Sequence, residues 1–137
     1  VHVIFDRTRE ALACSDAAAV ASGTVTLETA LLGIPMVVFY RTSSLTYYLL
    51  RMLVKVKHVS LVNLLSGETV VRELIQNEAN AGNIFSELVK ILNNTAYRDD
   101  MLFHINKISK LFEGRKPSER VARMAGELAG WNNAAAL

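Results

Sequence analysis

The chain has 137 residues, of which 51% are hydrophobic and 20% are charged, and its formal net charge is only +2. These values fit one compact domain, exclude a disordered chain and give no reason to expect a nucleic-acid partner. No apolar stretch is long and uninterrupted enough to cross a bilayer. The single cysteine, Cys14, excludes an internal disulfide framework, and no residue cluster has metal-ligand spacing, so neither a metal nor another cofactor is expected. The abrupt start at VHVIFD, without an initiator methionine, indicates a fragment of a longer protein.

The first part of the chain predicts strands that alternate with helices. Continuous β-branched and aromatic residues predict a buried strand over VHVIF, and two further strands are predicted over AAAVAS and MVVFY. Helices are predicted from Thr8 to Cys14 and from Thr24 to Leu32, the second ending at Gly33. Strands joined by helices through short connections imply right-handed crossovers, and therefore a parallel sheet that is covered on both faces.

The rest of the chain predicts mostly helices. An amphipathic helix is predicted over LTYYLLRMLV, a short strand over HVSLV, and then helices over ETVVRELIQ, over NIFSELVKIL, from about Ala96 to Phe112 and over SERVARMAGELA. We therefore predict the α/β class. Residues 1–137 form one domain fragment, with a partial Rossmann-like parallel sheet and flanking helices in residues 1–66 and a mainly helical part in residues 67–137.

The turn Ser22-Gly23-Thr24 lies between a predicted strand and the helix that follows it. In open parallel sheets ligands gather at this edge, and the N–H groups of a helix N-terminus attract phosphate. Gly23 allows a close approach of the backbone, and the hydroxyls of Ser22 and Thr24 can donate hydrogen bonds to phosphate oxygens. The alternative is that Ser22 or Thr24 only caps the helix, and the residues alone leave both interpretations open.

Three more polar residues are predicted near the same edge. Glu28 lies one helical turn after Thr24, where its carboxylate can accept hydrogen bonds from a ribose diol. Arg41 follows the strand MVVFY and can bind a phosphate or steer an anionic substrate, and Asn63 follows the last predicted strand. The alternatives are a solvated helix glutamate, a surface arginine and a turn asparagine.

A basic and aromatic stretch occupies positions 41 to 58, which contain four cationic residues and no acidic one. Such a composition suits a helix on an anionic membrane surface, with the tyrosines at the level of the lipid headgroups. The predicted membrane-surface residues are Tyr47, Tyr48, Arg51, Lys55 and Lys57. The alternative is an amphipathic core helix with a solvated basic face.

Four sequence blocks lie in a fixed order between about Ala21 and Gln76: SGTVTLETALLGIPMVVFYR, SLT, RMLVKVKHVSLVNLLSGE and ELIQ. In order and spacing they resemble the carboxyl-terminal region of the lipid-A-disaccharide synthases, which are glycosyltransferases with two Rossmann-like domains (the GT-B fold). The resemblance implies the donor-binding domain, in about the last third of that family's length, without the acceptor domain. Ser44, Val62 and Arg72 depart from the family pattern, because each stands where the family often has proline.

The resemblance also implies an activity. The family transfers 2,3-diacylglucosamine from UDP-2,3-diacylglucosamine to 2,3-diacylglucosamine 1-phosphate, with inversion, and forms the β-1,6 disaccharide of lipid A. By this resemblance Ser22, Gly23 and Thr24 bind the pyrophosphate and Glu28 binds the ribose. Arg41, Asn63 and Gln76 line the donor cleft.

Further expectations concern the partners and the location of the protein. The resemblance implies a peripheral protein on the cytoplasmic face of the inner membrane that acts with the donor, a lipid acceptor and the missing N-terminal domain, and an exposed strand edge allows a homodimer. An inverting transfer needs a general base, and no group of this chain fits that role, so we expect no catalytic residue here and an inactive fragment. The alternatives are the donor domain of another UDP-sugar glycosyltransferase or of an epimerase, and a non-catalytic nucleotide-binding or interaction module.

Overall fold

Three parallel strands form the sheet, and helices flank it, in a computed structural model that describes residues 2–43 and 57–112. The strands lie in the order β1-β2-β3, and each pairs only with its neighbour in that order. The elements in chain order are helix α1 (Thr8–Ala13), strand β1 (Ala18–Ala21), helix α2 (Thr24–Leu31), strand β2 (Met36–Tyr40), helix α3 (Leu61–Ser66), strand β3 (Arg72–Ile75), a 3-10 turn (Gln76–Glu78), helix α4 (Ala81–Asn93) and helix α5 (Thr95–Phe112). The predicted α/β class with a parallel sheet is confirmed.

The core lies between the sheet and the helices. Met36 and Val38 of β2 are buried, together with Ala30 of α2. Helix α5 buries Met101, Ile105 and Ile108 against this core, and their spacing of four and three residues places them on one helical face. The long α5 therefore closes the core on the side of α2, with which it is in contact.

The end of α2 shows why the helices of this part were predictable. Gly33 has a φ of +71°, and its N–H donates to the Ala30 carbonyl at 2.9 Å. The N–H of Ile34 donates to the Thr29 carbonyl at 3.1 Å, which completes a Schellman motif. Pro35 follows at once. The predicted bounds of α1, β1, α2, β2, α4 and α5 agree with the structure to within two residues.

Three predicted elements are wrong. Residues 2–5 do not form a strand: Val3, Ile4 and Phe5 are 71%, 56% and 79% exposed, and strand-forming residues need a pleated, half-buried surface to pack on. HVSLV is not a strand either. The Ser60 side chain accepts a hydrogen bond from the N–H of Asn63 and so begins α3 within that segment.

The third error concerns ETVVRELIQ, which was predicted as a helix. Its residues Arg72–Ile75 form β3 instead, with Leu74 buried next to β2. Apolar runs of four to six residues fit a strand as well as a helix, so periodicity did not distinguish them. Strand β3 therefore carries the sheet past residue 66, into the part predicted to be mainly helical, and the boundary between the two parts stays a prediction. The predicted helices LTYYLLRMLV and SERVARMAGELA lie outside the described residues.

Candidate functional site

The ends of the three strands bring several predicted site residues to one edge of the sheet. Ser22 directly follows β1, Arg41 follows β2 and Gln76 follows β3. The parallel register places the last residues of neighbouring strands within one position of each other. Open parallel sheets bind ligands at the carboxyl ends of their strands. We call this edge of the sheet, where Ser22, Arg41 and Gln76 lie, the carboxyl edge.

Gly23 shapes the turn that leads from β1 into α2. Its φ of +154° and ψ of −162° lie in a region that is essentially restricted to glycine. A Cβ built on Gly23 meets no atom within 4 Å among the described residues, so the turn opens into space and the backbone conformation alone demands glycine. Gly23 is itself the N-cap, and no side chain of the described chain caps α2. The first backbone N–H groups of α2 therefore have no side-chain cap within the described residues, and groups of this kind can bind an anion.

Ser22 and Thr24 differ in their surroundings. The Ser22 N–H donates to the Phe39 carbonyl at 2.9 Å, and its hydroxyl donates to the Val59 carbonyl at 3.0 Å. Thr24 is exposed at the first position of α2. Neither Ser22 nor Thr24 is therefore the N-cap of α2, and the alternative interpretation of these residues as a helix cap is wrong. Ser22 instead ties the turn to the loop before α3.

Glu28 is exposed one turn after Thr24, on the same side of α2. It lines a groove of about 530 Å³ together with residues of α1 and of the segment before it, among them Arg9 and Glu10. The groove also includes Leu31 and Leu32 at the end of α2 and no residue of the Ser22-Gly23-Thr24 turn, so what it shows for Glu28 is an exposed carboxylate.

Arg41 and Gln76 lie at the carboxyl edge, directly after the neighbouring strands β2 and β3. The Arg41 side chain is exposed. Gln76 has a φ of +53°, which is uncommon for a residue with a Cβ, and its Oε1 accepts a hydrogen bond from the Thr42 N–H at 2.9 Å. Gln76 thus links the end of β3 to the segment after β2. Strained conformations of this kind occur preferentially at functional sites.

Asn63 has a different place from the one predicted. Its side chain is fully buried, and its Nδ2 donates to the Val71 carbonyl at 2.8 Å and to Glu73 Oε1 at 2.9 Å. Its Oδ1 accepts from the N–H groups of Val70 at 2.8 Å and Val71 at 2.9 Å. Two donors and two acceptor positions are the whole capacity of an amide. Asn63 therefore holds α3 to β3, and this geometry favours a positioning role over direct contact with a ligand.

Glu73 is a residue that sequence reasoning missed. Its Oε2 accepts a hydrogen bond from the Val59 N–H, and its Oε1 accepts one from the Ser60 N–H, both at 2.9 Å. With Asn63 it has three donors around one half-buried carboxylate. The available signal was the glutamate in VVRELI, where four of the six residues are apolar, because a carboxylate beside buried residues is costly unless it is hydrogen-bonded.

Of the five predicted membrane-surface residues, one lies within the residues that the structure describes. Tyr47, Tyr48, Arg51 and Lys55 lie outside the described residues, whereas Lys57 is exposed. No helix within residues 2–43 and 57–112 has the length and apolar character needed to cross a membrane. In the same ranges no group of His, Cys, Asp and Glu side chains is placed to hold a metal ion.

A second polar cluster lies away from the carboxyl edge, between β3, α4 and α5. Glu87 is only 2% exposed; its Oε1 accepts a hydrogen bond from the Tyr97 hydroxyl at 2.5 Å, and its Oε2 lies 3.4 Å from Arg72 Nη1. Burial, and then the bond to Glu87, raise the pKa of Tyr97 well above its ordinary value. The Lys90 ammonium lies 3.5 Å from the centre of the Tyr97 ring. These contacts join β3, α4 and α5 around the buried Glu87 side chain.

Comparison with known proteins identifies the family. Residues 1–124 match the family described as lipid-A-disaccharide synthetase. The chain is 42% identical over 125 residues to the lipid-A-disaccharide synthase of Syntrophus aciditrophicus, 38% over 130 residues to that of Geobacter sulfurreducens, and 45% over 101 residues to that of Nitrosococcus oceani.

These alignments cover most of this chain but only part of each relative. They include 91%, 95% and 74% of the chain, and 33%, 34% and 26% of the respective relatives. The chain thus spans about a third of the length of the first two. Because the family match extends over nearly the whole chain and agrees with the motifs around the carboxyl edge, the chain belongs to the lipid-A-disaccharide synthetase family.

Proposed function

We propose that the chain is the UDP-sugar-binding, carboxyl-terminal part of a lipid-A-disaccharide synthase. The whole protein would transfer 2,3-diacylglucosamine from UDP-2,3-diacylglucosamine to 2,3-diacylglucosamine 1-phosphate, with inversion and a β-1,6 linkage. The names of the relatives support this activity. The observation that carries the role of this chain is the N-terminus of α2 at the carboxyl edge, which no side chain of residues 2–43 and 57–112 caps.

The turn Ser22-Gly23-Thr24 binds the pyrophosphate in this proposal. The first N–H groups of α2 point out of the helix and carry the positive end of its dipole, which suits an anion. The exposed Thr24 hydroxyl adds a donor, and the open space above Gly23 admits the phosphate. Ser22 contributes the backbone of the turn, and its hydroxyl holds the turn against the Val59 carbonyl.

The remaining predicted residues surround that anion site. Glu28 accepts hydrogen bonds from the ribose hydroxyls, and the exposed Arg41 neutralises phosphate charge. Gln76 fixes the end of β3 through its bond to the Thr42 N–H and borders the donor cleft. Asn63 positions α3 against β3 and does not contact the donor, because its side-chain amide forms all of its hydrogen bonds within the protein.

The chemistry of this chain would be the stabilisation of departing UDP. Preorganised N–H groups and Arg41 stabilise the negative charge that develops as the glycosidic bond to the diphosphate breaks. The general base that takes the proton from the acceptor hydroxyl would come from the missing N-terminal domain of the same protein. The chain alone should therefore bind UDP without transferring sugar.

The proposal includes a place for the enzyme at the cytoplasmic face of the inner membrane. Its substrates carry acyl chains, and the basic, aromatic stretch at positions 41 to 58, which includes the exposed Lys57, suits an anionic lipid surface. The two free edges of the described sheet allow pairing with a second copy, so a homodimer is part of the proposal.

A thermal-shift titration tests the nucleotide. UDP should raise the melting temperature of the chain in a saturable way, because a ligand that binds only the folded state stabilises it in proportion to the logarithm of its concentration. ADP and GDP serve as matched diphosphates with other bases. No stabilisation by millimolar UDP, together with saturation by another nucleotide, would contradict the proposed donor and favour a different nucleotide-binding module.

A further inference from the structure

The Glu73 carboxylate accepts three hydrogen bonds, two from the loop before α3 and one from α3 itself. The N–H groups of Val59 and Ser60 and the Nδ2 of Asn63 all donate to it at 2.9 Å. Glu73 lies within β3, directly beside Val38 of the central strand. Bonds to a charged acceptor are stronger than those between neutral groups, so this carboxylate fixes the position of the loop before α3 firmly.

Val59 connects this carboxylate to the turn that follows β1. Its N–H donates to Glu73, and its carbonyl accepts the hydrogen bond from the Ser22 hydroxyl at 3.0 Å. One residue of the loop is thus held by β3 on one side and holds the Ser22-Gly23-Thr24 turn on the other. The loop itself is braced by Ser60, whose side chain accepts from the Asn63 N–H at 3.2 Å.

We infer that Glu73 is a positioning residue for the Ser22-Gly23-Thr24 turn, through the Val59 peptide group. The inference rests on the proposed function in one respect, namely that this turn binds the pyrophosphate. A set of backbone N–H groups binds an anion well only when the groups are already in place, since misplacement costs affinity and rate. Glu73 supplies this preorganisation without contact with the donor.

The test uses the 137-residue chain labelled with ¹⁵N and the variant Glu73→Gln, which keeps the shape and loses the charge. Its amide nitrogen faces donors, so at least one of the three bonds is lost. Without ligand, the amide resonances of Ser22, Gly23 and Thr24 should shift, and UDP should bind about tenfold more weakly by calorimetry. Glu87→Gln is the matched control: it alters a buried carboxylate that contacts the same strand through Arg72, and should leave those resonances and the UDP affinity unchanged.

A reciprocal variant keeps the test decisive if Glu73→Gln unfolds the chain. Ser22→Ala leaves the carboxylate intact but removes the bond to Val59, so the amides of Val59 and Ser60 should shift in an otherwise native spectrum. Unmoved Ser22-Gly23-Thr24 resonances in Glu73→Gln, or unmoved Val59 and Ser60 resonances in Ser22→Ala, would overturn the inference. If the unmodified chain does not bind UDP while both resonance shifts occur, the positioning role stands and the proposed function fails.

Discussion

Replacing Gly23 with alanine tests the geometry of the pyrophosphate turn. The glycine has a φ of +154° and a ψ of −162°, which alanine adopts only with strain of about 1–3 kcal/mol. No described atom lies within 4 Å of the added Cβ, so a steric clash adds nothing to this figure. The whole cost is conformational.

The same cost must be visible in one of two measurements. If the turn keeps its geometry in Gly23→Ala, the free energy of unfolding falls by about 1–3 kcal/mol, which corresponds to a melting temperature lower by roughly 4–12 °C. If the turn relaxes in the unliganded chain, UDP binding has to restore it, and the dissociation constant rises by about 5- to 150-fold. The two losses together should equal the strain.

Calorimetry measures both quantities on the same sample, by thermal unfolding and by UDP titration. Gly67→Ala is the control, because Gly67 has a φ of +74°, similar open space, and a position at the end of α3. It should lose stability and keep its UDP affinity. A Gly23→Ala chain with unchanged stability and unchanged affinity would refute the reasoning from backbone strain.

Glu28, Asn63 and Tyr97 give further tests in solution. Glu28→Gln should weaken UDP binding by about 1–3 kcal/mol, because a charged acceptor for the ribose is lost, and should leave the urea midpoint unchanged because the side chain is exposed. Asn63→Ala should lower the free energy of unfolding by about 3 kcal/mol or more, measured by urea denaturation. The substitution leaves the Val71 carbonyl and the Val70 and Val71 N–H groups without the hydrogen bonds that they now form with the side-chain amide. Tyr97→Phe should remove a pH dependence of stability. The raised pKa of Tyr97 means that its contribution is complete below about pH 10 and is lost as the pH rises further.

If Glu28→Gln and the unmodified chain bind UDP with equal affinity, Glu28 does not bind the ribose and is a solvated surface residue. If the Asn63→Ala chain unfolds at the same urea concentration as the unmodified chain, the hydrogen bonds of the Asn63 side-chain amide do not contribute to stability. For Tyr97, a difference in the free energy of unfolding between the Phe variant and the unmodified chain that stays the same below and above about pH 10 would contradict the raised pKa.

The sequence predicts well those elements whose ends have specific residues. Gly33 and Pro35 mark the end of α2, and the buried run of β2 is long enough to be recognised as a strand. The turn at Gly23 was found because a strand, a small-residue turn and a helix follow each other. These features depend on neighbours in sequence, so the sequence contains the information.

The sequence does not predict features that depend on distant partners. Arg72–Ile75 became a strand because β2 was available beside it, and a four-residue run has no period that reveals this. Asn63 was predicted to line the cleft, yet its partners on β3 and before it use its whole amide. For the same reason Glu73 was not predicted, since its donors Val59 and Ser60 come from a loop fourteen and thirteen residues earlier, and the third, Asn63, from α3.

The central claim is that the N-terminus of α2 binds the diphosphate of UDP, and amide chemical shifts measured during a UDP titration test it most directly. The account predicts that the resonances of Gly23 and Thr24 move saturably with UDP, with the largest changes in the chain at this turn, and that uridine alone moves them much less. If saturating UDP left these two resonances in place, or moved only residues away from the carboxyl edge, the account would be contradicted.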